Sequence, residues 1–129
     1  MIGTEVLGIK DAKATIAVKD LDKAKQFYGS TLGLTLTDRN SETLTFTTGT
    51  TSVLVYRSTF AGTNRATAAT WNVGEDIDEV VRALKTKGVP FEHYDMPGMR
   101  RDGDVHVAGS TKAAWFKDPD GNILALVSG

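Results

Sequence analysis

The strongest constraint on the fold of this chain is an internal repeat. Displacing the sequence by 55 positions aligns two segments that share one order of predicted elements, namely a strand, a helix and three strands. Duplication explains this shared order better than composition does. We therefore predict a single domain, residues 1–129, built from two βαβββ modules at about 13–58 and 67–128. The identical aligned pairs include Ala14 with Ala69, Thr15 with Thr70, Val18 with Val73, and Gly33 with Gly88.

Two segments have the apolar spacing of amphipathic helices. The apolar positions are Leu21, Ala24, Phe27, Tyr28 and Leu32 in the first helix, and Ile77, Val80, Val81 and Leu84 in the second. Acidic residues that can accept hydrogen bonds from free amides precede each helix, and glycines that tolerate the left-handed conformation follow it. These residues are Asp20, Asp22, Glu75, Asp76, Gly33 and Gly88.

The remaining ordered segments are rich in β-branched and aromatic residues and are predicted to be strands. They are residues 14–18, 34–38, 43–47, 52–57, 67–73, 89–93, 112–117 and 123–127. The segment from Tyr94 to Thr111 has no clear period and is predicted to be a loop of about 18 residues. Because loops of this length in small domains are often binding loops, we expect it to close over a ligand.

Composition excludes several classes of function. The chain has 15 Lys and Arg against 16 Asp and Glu with no concentrated basic stretch, so nucleic acid is not an expected partner. No apolar stretch approaches the length that spans a bilayer, and the first ten residues do not resemble a secretory signal, so we expect a cytoplasmic protein and no membrane partner. The absence of cysteine excludes thiolate catalysis and cysteine-ligated metal sites.

Two passages resemble one known family. Residues 14–34 read ATIAVKDLDKAKQFYGSTLGL, and residues 112–127 read KAAWFKDPDGNILALV, with a type I turn expected at Asp118 to Gly121. Together with the repeat, they resemble the vicinal oxygen chelate superfamily, which includes glyoxalase I, extradiol dioxygenases, fosfomycin resistance enzymes and bleomycin resistance binding proteins. The resemblance implies an α+β fold in which two βαβββ modules form half-open barrel sheets, with helices outside, a ligand cavity inside, and a homodimer.

The same resemblance locates four strand positions that hold a divalent metal in many members of the family. In this chain they are Lys13, Val55, Ala68 and Ala125. None of these side chains offers a lone pair to a cation at neutral pH, so we predict no metal site of the family type and no other cofactor. The two histidines, His93 and His106, lie near acidic residues, and either structural roles or a non-standard metal site is open to them.

Strand alternation predicts which side chains face the cavity. If Lys13, Ala68 and Ala125 point inward, their strand neighbours two residues away do so as well, and Trp71 points into the core. Tyr94 and Trp115 suit either the cavity or the core. Arg57 offers a planar charged fork for a carboxylate or phosphate, and His106 in the loop can donate to an anion. The predicted ligand-binding residues are Lys13, Thr15, Val55, Arg57, Thr70, Asn72, Tyr94, His106 and Trp115.

Three classes of function are compatible with this site. The first is a metal-free protein that binds or sequesters a small, partly aromatic or anionic molecule. The second is an enzyme of the same superfamily, a lyase, isomerase or dioxygenase, that uses a relocated metal or the acid–base groups of Lys13, Arg57 or His106. The third is an interaction module in which the cavity has no role. No catalytic residue can be assigned from the sequence.

Overall fold

The first module forms a four-stranded mixed sheet. The computed structural model describes residues 6–129, so the first five residues of the predicted domain lie outside the described part. The strand order is β1-β4-β3-β2, with β1 parallel to β4 and the other pairs antiparallel. The strands are β1 (Ala14–Val18), β2 (Thr35–Arg39), β3 (Thr43–Thr48) and β4 (Thr51–Arg57).

The second module forms the other sheet, in the order β5-β10-β9-β8-β7, with β6 also paired to β9. As in the first module, the opening strand lies parallel to the last strand, here β10. The repeat of the sequence is therefore a repeat of sheet topology, and neither sheet closes into a barrel. The strands are β5 (Thr67–Asn72), β6 (Phe91–Glu92), β7 (Arg100–Asp102), β8 (Val105–Ala108), β9 (Thr111–Lys117) and β10 (Ile123–Val127).

Each module contributes one helical segment, which confirms the α+β class. Helix α1 (Leu21–Ala24) continues in π-helical conformation over Lys25–Thr31, and a 3-10 turn (Gly74–Asp76) leads into α2 (Ile77–Thr86). The Asp20 carboxylate accepts hydrogen bonds from the first-turn amides of α1, as predicted. No helix within residues 6–129 is long and apolar enough to cross a membrane.

One hydrophobic core joins the helices to the same face of both sheets. In the first module it contains Ile16 and Val18 of β1 together with Val55 of β4, and in the second it contains Leu124 and Leu126 of β10. Trp71 packs against this core and is partly buried, as predicted. We call this face of each sheet the helix face and the opposite face the open face.

The prediction of a structureless loop from Tyr94 to Thr111 is wrong. This segment contains the antiparallel hairpin β7–β8, and β8 extends the second sheet by pairing with β9. Strands β6 and β8 pair with successive parts of β9, so together they occupy the position that β2 has in the first sheet. Gly103, with φ of +65°, lies in the tight connection between β7 and β8, where the left-handed conformation favours glycine. Most of the segment expected to close over a ligand is therefore part of the sheet, from β7 onward.

The turn between β9 and β10 holds the two modules together. The Asp118 carboxylate accepts a hydrogen bond of 2.7 Å from the Tyr28 hydroxyl of the first module, and both groups are buried. The Asn122 side chain donates to the Ala17 carbonyl at 2.7 Å, and the Asp120 carboxylate accepts from the Lys19 amide at 3.3 Å. The turn thus has a structural role between modules beyond closing its hairpin.

Candidate functional site

Strand pairing places four predicted site residues on the open face of the second sheet. Trp115 of β9 lies opposite Ala125 of β10, which in turn lies opposite Thr70 of β5. The next row runs from His106 through Ala113 and Val127 to Asn72. Paired residues of neighbouring strands project to the same side, so Thr70, Asn72, His106 and Trp115 share one face.

Three of the predicted residues meet as an aromatic cluster, defined by Tyr94, His106 and Trp115. The ring centroids of His106 and Trp115 are 4.8 Å apart and those of Tyr94 and Trp115 are 5.4 Å apart, both in edge-to-face geometry. The rings of Tyr94 and His106 are 6.2 Å apart. Such edge-to-face arrangements are favourable for aromatic side chains.

His106 is the buried member of the aromatic cluster. Only 1% of the residue is exposed, and its Nε2 accepts a hydrogen bond of 2.9 Å from the Tyr94 amide. Because a neutral imidazole that accepts at one nitrogen carries its proton on the other, Nδ1 is the donor. Nδ1 is buried and has no hydrogen-bond partner among the described residues. His106 therefore fixes the backbone at Tyr94, where the chain leaves β6.

A cleft of about 590 Å³ lies beside the cluster, and we call it the aromatic cleft. Its size is in the range of small-molecule sites in proteins. Arg65 and Asp95 supply charged groups and Met96 an apolar one. Burial raises the pKa of Tyr94 above its usual value near 10. The lining residues are Arg65, Ala66, Thr67, His93, Tyr94, Asp95, Met96, Trp115 and Ile123.

A polar network connects the rim of the aromatic cleft to α2. The His93 Nε2 lies 2.8 Å from the Asp104 carboxylate, and the Arg101 guanidinium lies 3.0 Å from His93 Nδ1. Since arginine can only donate, Nδ1 is the acceptor and Nε2 carries the proton. Asp104 also pairs with Lys85 of α2 at 2.7 Å. The hydrogen bond from Lys85, followed by that from His93, lowers the pKa of Asp104, so its carboxylate is charged at neutral pH.

Two predicted residues of the first module are not on the open face. Val55 lies opposite Ile16 and is 0% exposed in the core, and Arg57 lies opposite Val18 and pairs with Glu42 at 2.8 Å. The prediction that Val55 and Arg57 face the cavity is therefore wrong. A displacement of one residue along a strand exchanges its two faces, and the open face of β4 carries Leu54 and Tyr56 instead.

The remaining predicted residues lie outside the aromatic cleft. Thr15 is exposed on the open face of β1, and Lys13 is exposed just before that strand. Thr70 is exposed on β5, and the Asn72 side chain accepts a hydrogen bond of 3.0 Å from the Gly74 amide at the entry to α2. Arg65 and Met96, which line the cleft, were not predicted. They lie in segments without strand or helix periodicity, where no sequence signal distinguishes them.

The side chains at the family's metal positions do not fit a divalent cation. They are an exposed lysine, two alanines and a valine buried in the core. On β4 the residues next to Val55 that lie on the open face are Leu54 and Tyr56. Of these two side chains, only that of Tyr56 has an oxygen. No group of three or more His, Cys, Asp or Glu within residues 6–129 is arranged to hold a metal ion. His93 and His106 form the hydrogen bonds described above.

The geometry defines an α+β protein in which two mixed sheets of similar topology each carry a helix on one face, with a cleft on the open face of the second sheet. The sequence profile of the Glyoxalase/Bleomycin resistance protein/Dioxygenase superfamily matches residues 12–126. The chain belongs to this superfamily, which confirms the resemblance seen in the sequence. No curated protein sequence matches the chain.

Several solved structures share the fold. The integron cassette protein HFX_CASS4, from the mobile metagenome of Halifax Harbour Sewage Outfall, is 21% identical with a TM-score of 0.71, over 94% of this chain and 100% of that chain. The fosfomycin resistance protein FosX from Listeria monocytogenes is 19% identical with a TM-score of 0.71, over 100% and 95%. Lactoylglutathione lyase from Agrobacterium tumefaciens is 16% identical with a TM-score of 0.68, over 92% of each chain. At these identities the likeness establishes the fold.

Proposed function

We propose that this chain binds a small, partly aromatic or anionic molecule in the aromatic cleft, without a metal at the family's ligand positions. The observation that carries this proposal is the cluster of Tyr94, His106 and Trp115 beside a cleft of about 590 Å³. Tyr94 and Trp115 meet at an interplanar angle of 75°, so they form a corner that a ligand ring can fill.

Arg65 gives the cleft a preference for an anion. It is exposed at the rim, where its guanidinium can reach a carboxylate or phosphate without the cost of burying an unpaired charge. Asp95 also lines the cleft, and its charge favours a ligand whose negative group lies at one end only. An aromatic ring against Trp115 with an acidic group toward Arg65 satisfies both features.

The contacts of the acid–base candidates favour binding over catalysis. His106 is 1% exposed, and its Nε2 is occupied by the Tyr94 amide. Arg57 is engaged by Glu42 away from the open face, and Lys13 is exposed before β1. The alternative of an enzyme that uses these groups therefore has less support. FosX from L. monocytogenes is complexed with Mn(II) and sulfate ion, but the unsuitable side chains at this chain's family positions argue against the same arrangement.

We also propose that the protein forms a homodimer. Thr15, Tyr56 and Thr70 are exposed on the open faces of a single chain, with Tyr56 38% exposed. A second copy placed against these faces would cover them and enclose the aromatic cleft, as expected for a ligand site that excludes water.

Trp115 allows a direct test of ligand binding. The chain has two tryptophans, so Trp71→Phe leaves Trp115 as the only indole. We expect 4-bromobenzoate, an aromatic anion with a quenching heavy atom, to reduce Trp115 emission saturably in this variant. Adding Arg65→Gln should weaken binding about 10- to 150-fold, the effect of losing a hydrogen bond between charged groups.

Arg82→Gln is the matched control, because Arg82 is exposed on α2 and does not line the aromatic cleft. It should leave the quenching midpoint unchanged. Equal loss of affinity in both variants would mean that net charge, and not Arg65, attracts the anion. Failure of both 4-bromobenzoate and neutral bromobenzene to quench Trp115 saturably would contradict the proposed function.

A further inference from the structure

A second cleft, of about 390 Å³, lies on the helix face where the two modules meet. We call it the intermodule cleft. The first module contributes the chain after α1, around Leu34, and the turn between β3 and β4. The second contributes Trp71 of β5 and Val80 of α2. It shares no lining residue with the aromatic cleft, because Trp115 and Phe116 on β9 project to opposite faces of the sheet.

The floor of the intermodule cleft is the hydrophobic core itself. Leu84, Phe116 and Leu126 line it, and these residues belong to the core cluster. No charged residue is found among the described residues that line the cleft, and its polar side chains are threonines and the Trp71 indole. A charged molecule would lose its hydration there without gaining an opposite charge, so the lining selects against ions.

The mouth of the cleft is held in place by a hydrogen bond between modules. The Trp71 Nε1 donates to the Thr48 hydroxyl at 3.1 Å. The indole is thereby fixed as a wall, and its only polar group is already satisfied. A ligand in the cleft therefore needs no acceptor for the indole. Preformed apolar cavities of this kind accept neutral aromatic molecules.

We propose that the intermodule cleft is a second binding site, which takes a small, neutral, apolar molecule of one or two rings. The volume suits a molecule of this size, and the uncharged lining and core-derived floor suit its chemistry. Such a ligand would contact both modules at once and would therefore stabilise their packing. The site is independent of the aromatic cleft, and its ligand differs in charge.

The test uses the other tryptophan as reporter. Trp115→Phe leaves Trp71 as the only indole, and we expect bromobenzene to quench its emission saturably while 4-bromobenzoate does not. Adding Val80→Phe fills the cleft and should weaken the binding of bromobenzene at least about tenfold, as overfilled apolar pockets do. Glu79→Phe, an exposed neighbour on α2 outside the lining, is the matched control and should leave binding unchanged.

Three results would overturn the proposal. One is quenching of Trp71 that rises linearly with bromobenzene, and another is saturable quenching that Val80→Phe does not weaken. The third is quenching of Trp71 by bromobenzene that disappears at protein concentrations where light scattering shows association. A second copy of the chain would then occupy the intermodule cleft. Should Trp115→Phe fail to fold, anomalous scattering from bromine in bromobenzene-soaked crystals of the unaltered protein locates the probe, and bromine away from Trp71 refutes the site.

Discussion

Replacing Tyr28 with phenylalanine removes one oxygen atom from the buried network that joins the two modules. Tyr28 is 0% exposed and Asp118 is 5% exposed, and the hydroxyl donates to Asp118 Oδ2 at 2.7 Å. In the variant the Asp118 carboxylate still accepts hydrogen bonds from three other donors. These are the amides of Asp120 and Asn122 at Oδ1 and the Asn122 side chain at Oδ2.

These contacts set the expected magnitude. A hydrogen bond to a charged group contributes about 1.5–3 kcal/mol to stability, and a buried acceptor left without a partner costs more than one that keeps a partner. Because Oδ2 still accepts from Asn122, we expect Tyr28→Phe to lower the free energy of unfolding by about 2 kcal/mol at pH 7.

The loss should depend on pH in a defined direction. Burial, together with the negative charge of Asp118 and the hydrogen bond to it, raises the pKa of Tyr28 above its usual value near 10. The stabilising contribution of the phenol is therefore fully present below pH 10 and is lost as the pH rises further, by about 1.4 kcal/mol per pH unit. The difference between the two proteins should shrink above pH 10 and vanish near about pH 11.5.

Urea unfolding followed by circular dichroism, at several pH values from 7 to 11.5, measures this difference. Tyr56→Phe is the control, because Tyr56 is 38% exposed and its replacement should change stability by no more than about 0.5 kcal/mol. Equal stability of Tyr28→Phe and the unaltered protein at pH 7 would refute the network argument. A difference that stays constant up to pH 11.5 would refute the role of the raised pKa.

Gly62→Ala should destabilise the fold by at least about 2 kcal/mol, because Gly62 has a φ of +73° and an added methyl group would overlap the Asp120 carbonyl oxygen. Urea unfolding that is unchanged in this variant would contradict the prediction. Asp104→Asn should lower the free energy of unfolding by about 1 kcal/mol at pH 7. Because Lys85 and His93 lower the pKa of Asp104, the stability difference from the unaltered protein should disappear as the pH falls below about 4, and a difference that persists at pH 2 would refute the role of these contacts. Elemental analysis should find no tightly held divalent metal, and one equivalent per chain that resists chelation would refute the metal-free proposal. Light scattering at micromolar concentration should give a dimer, and a mass of 13.9 kDa would refute it.

The sequence by itself determined the module repeat and most element positions. The two strands β1 and β10 have the predicted bounds, and Asp20 and Gly33 mark the ends of the first helical segment. These features are local, since apolar period, capping side chains and left-handed glycines act within a few residues. The hairpin β7–β8 was missed although its signal is present. Gly103 and Asp104 form a two-residue connection, followed by the alternating Val105–Ala108.

Only the tertiary structure decided which side chains of each strand lie in the core and which lie on the open face. The centre of β4 reads Val53-Leu54-Val55-Tyr56, four apolar or aromatic residues in succession, so alternation alone cannot orient the strand. Parallel pairing with β1 places Val55 beside Ile16 in the core and turns Arg57 away from the open face.

The candidate site depends on tertiary contacts in the same way. Tyr94, His106 and Trp115 were each predictable as candidates, but their contact depends on β6 and β8 both pairing with β9. Arg65, from the connection between modules, carries no local signal of its position in the cleft. Short-range patterns in a sequence specify elements, whereas a binding site is assembled from residues distant in the chain, whose proximity depends on register and packing.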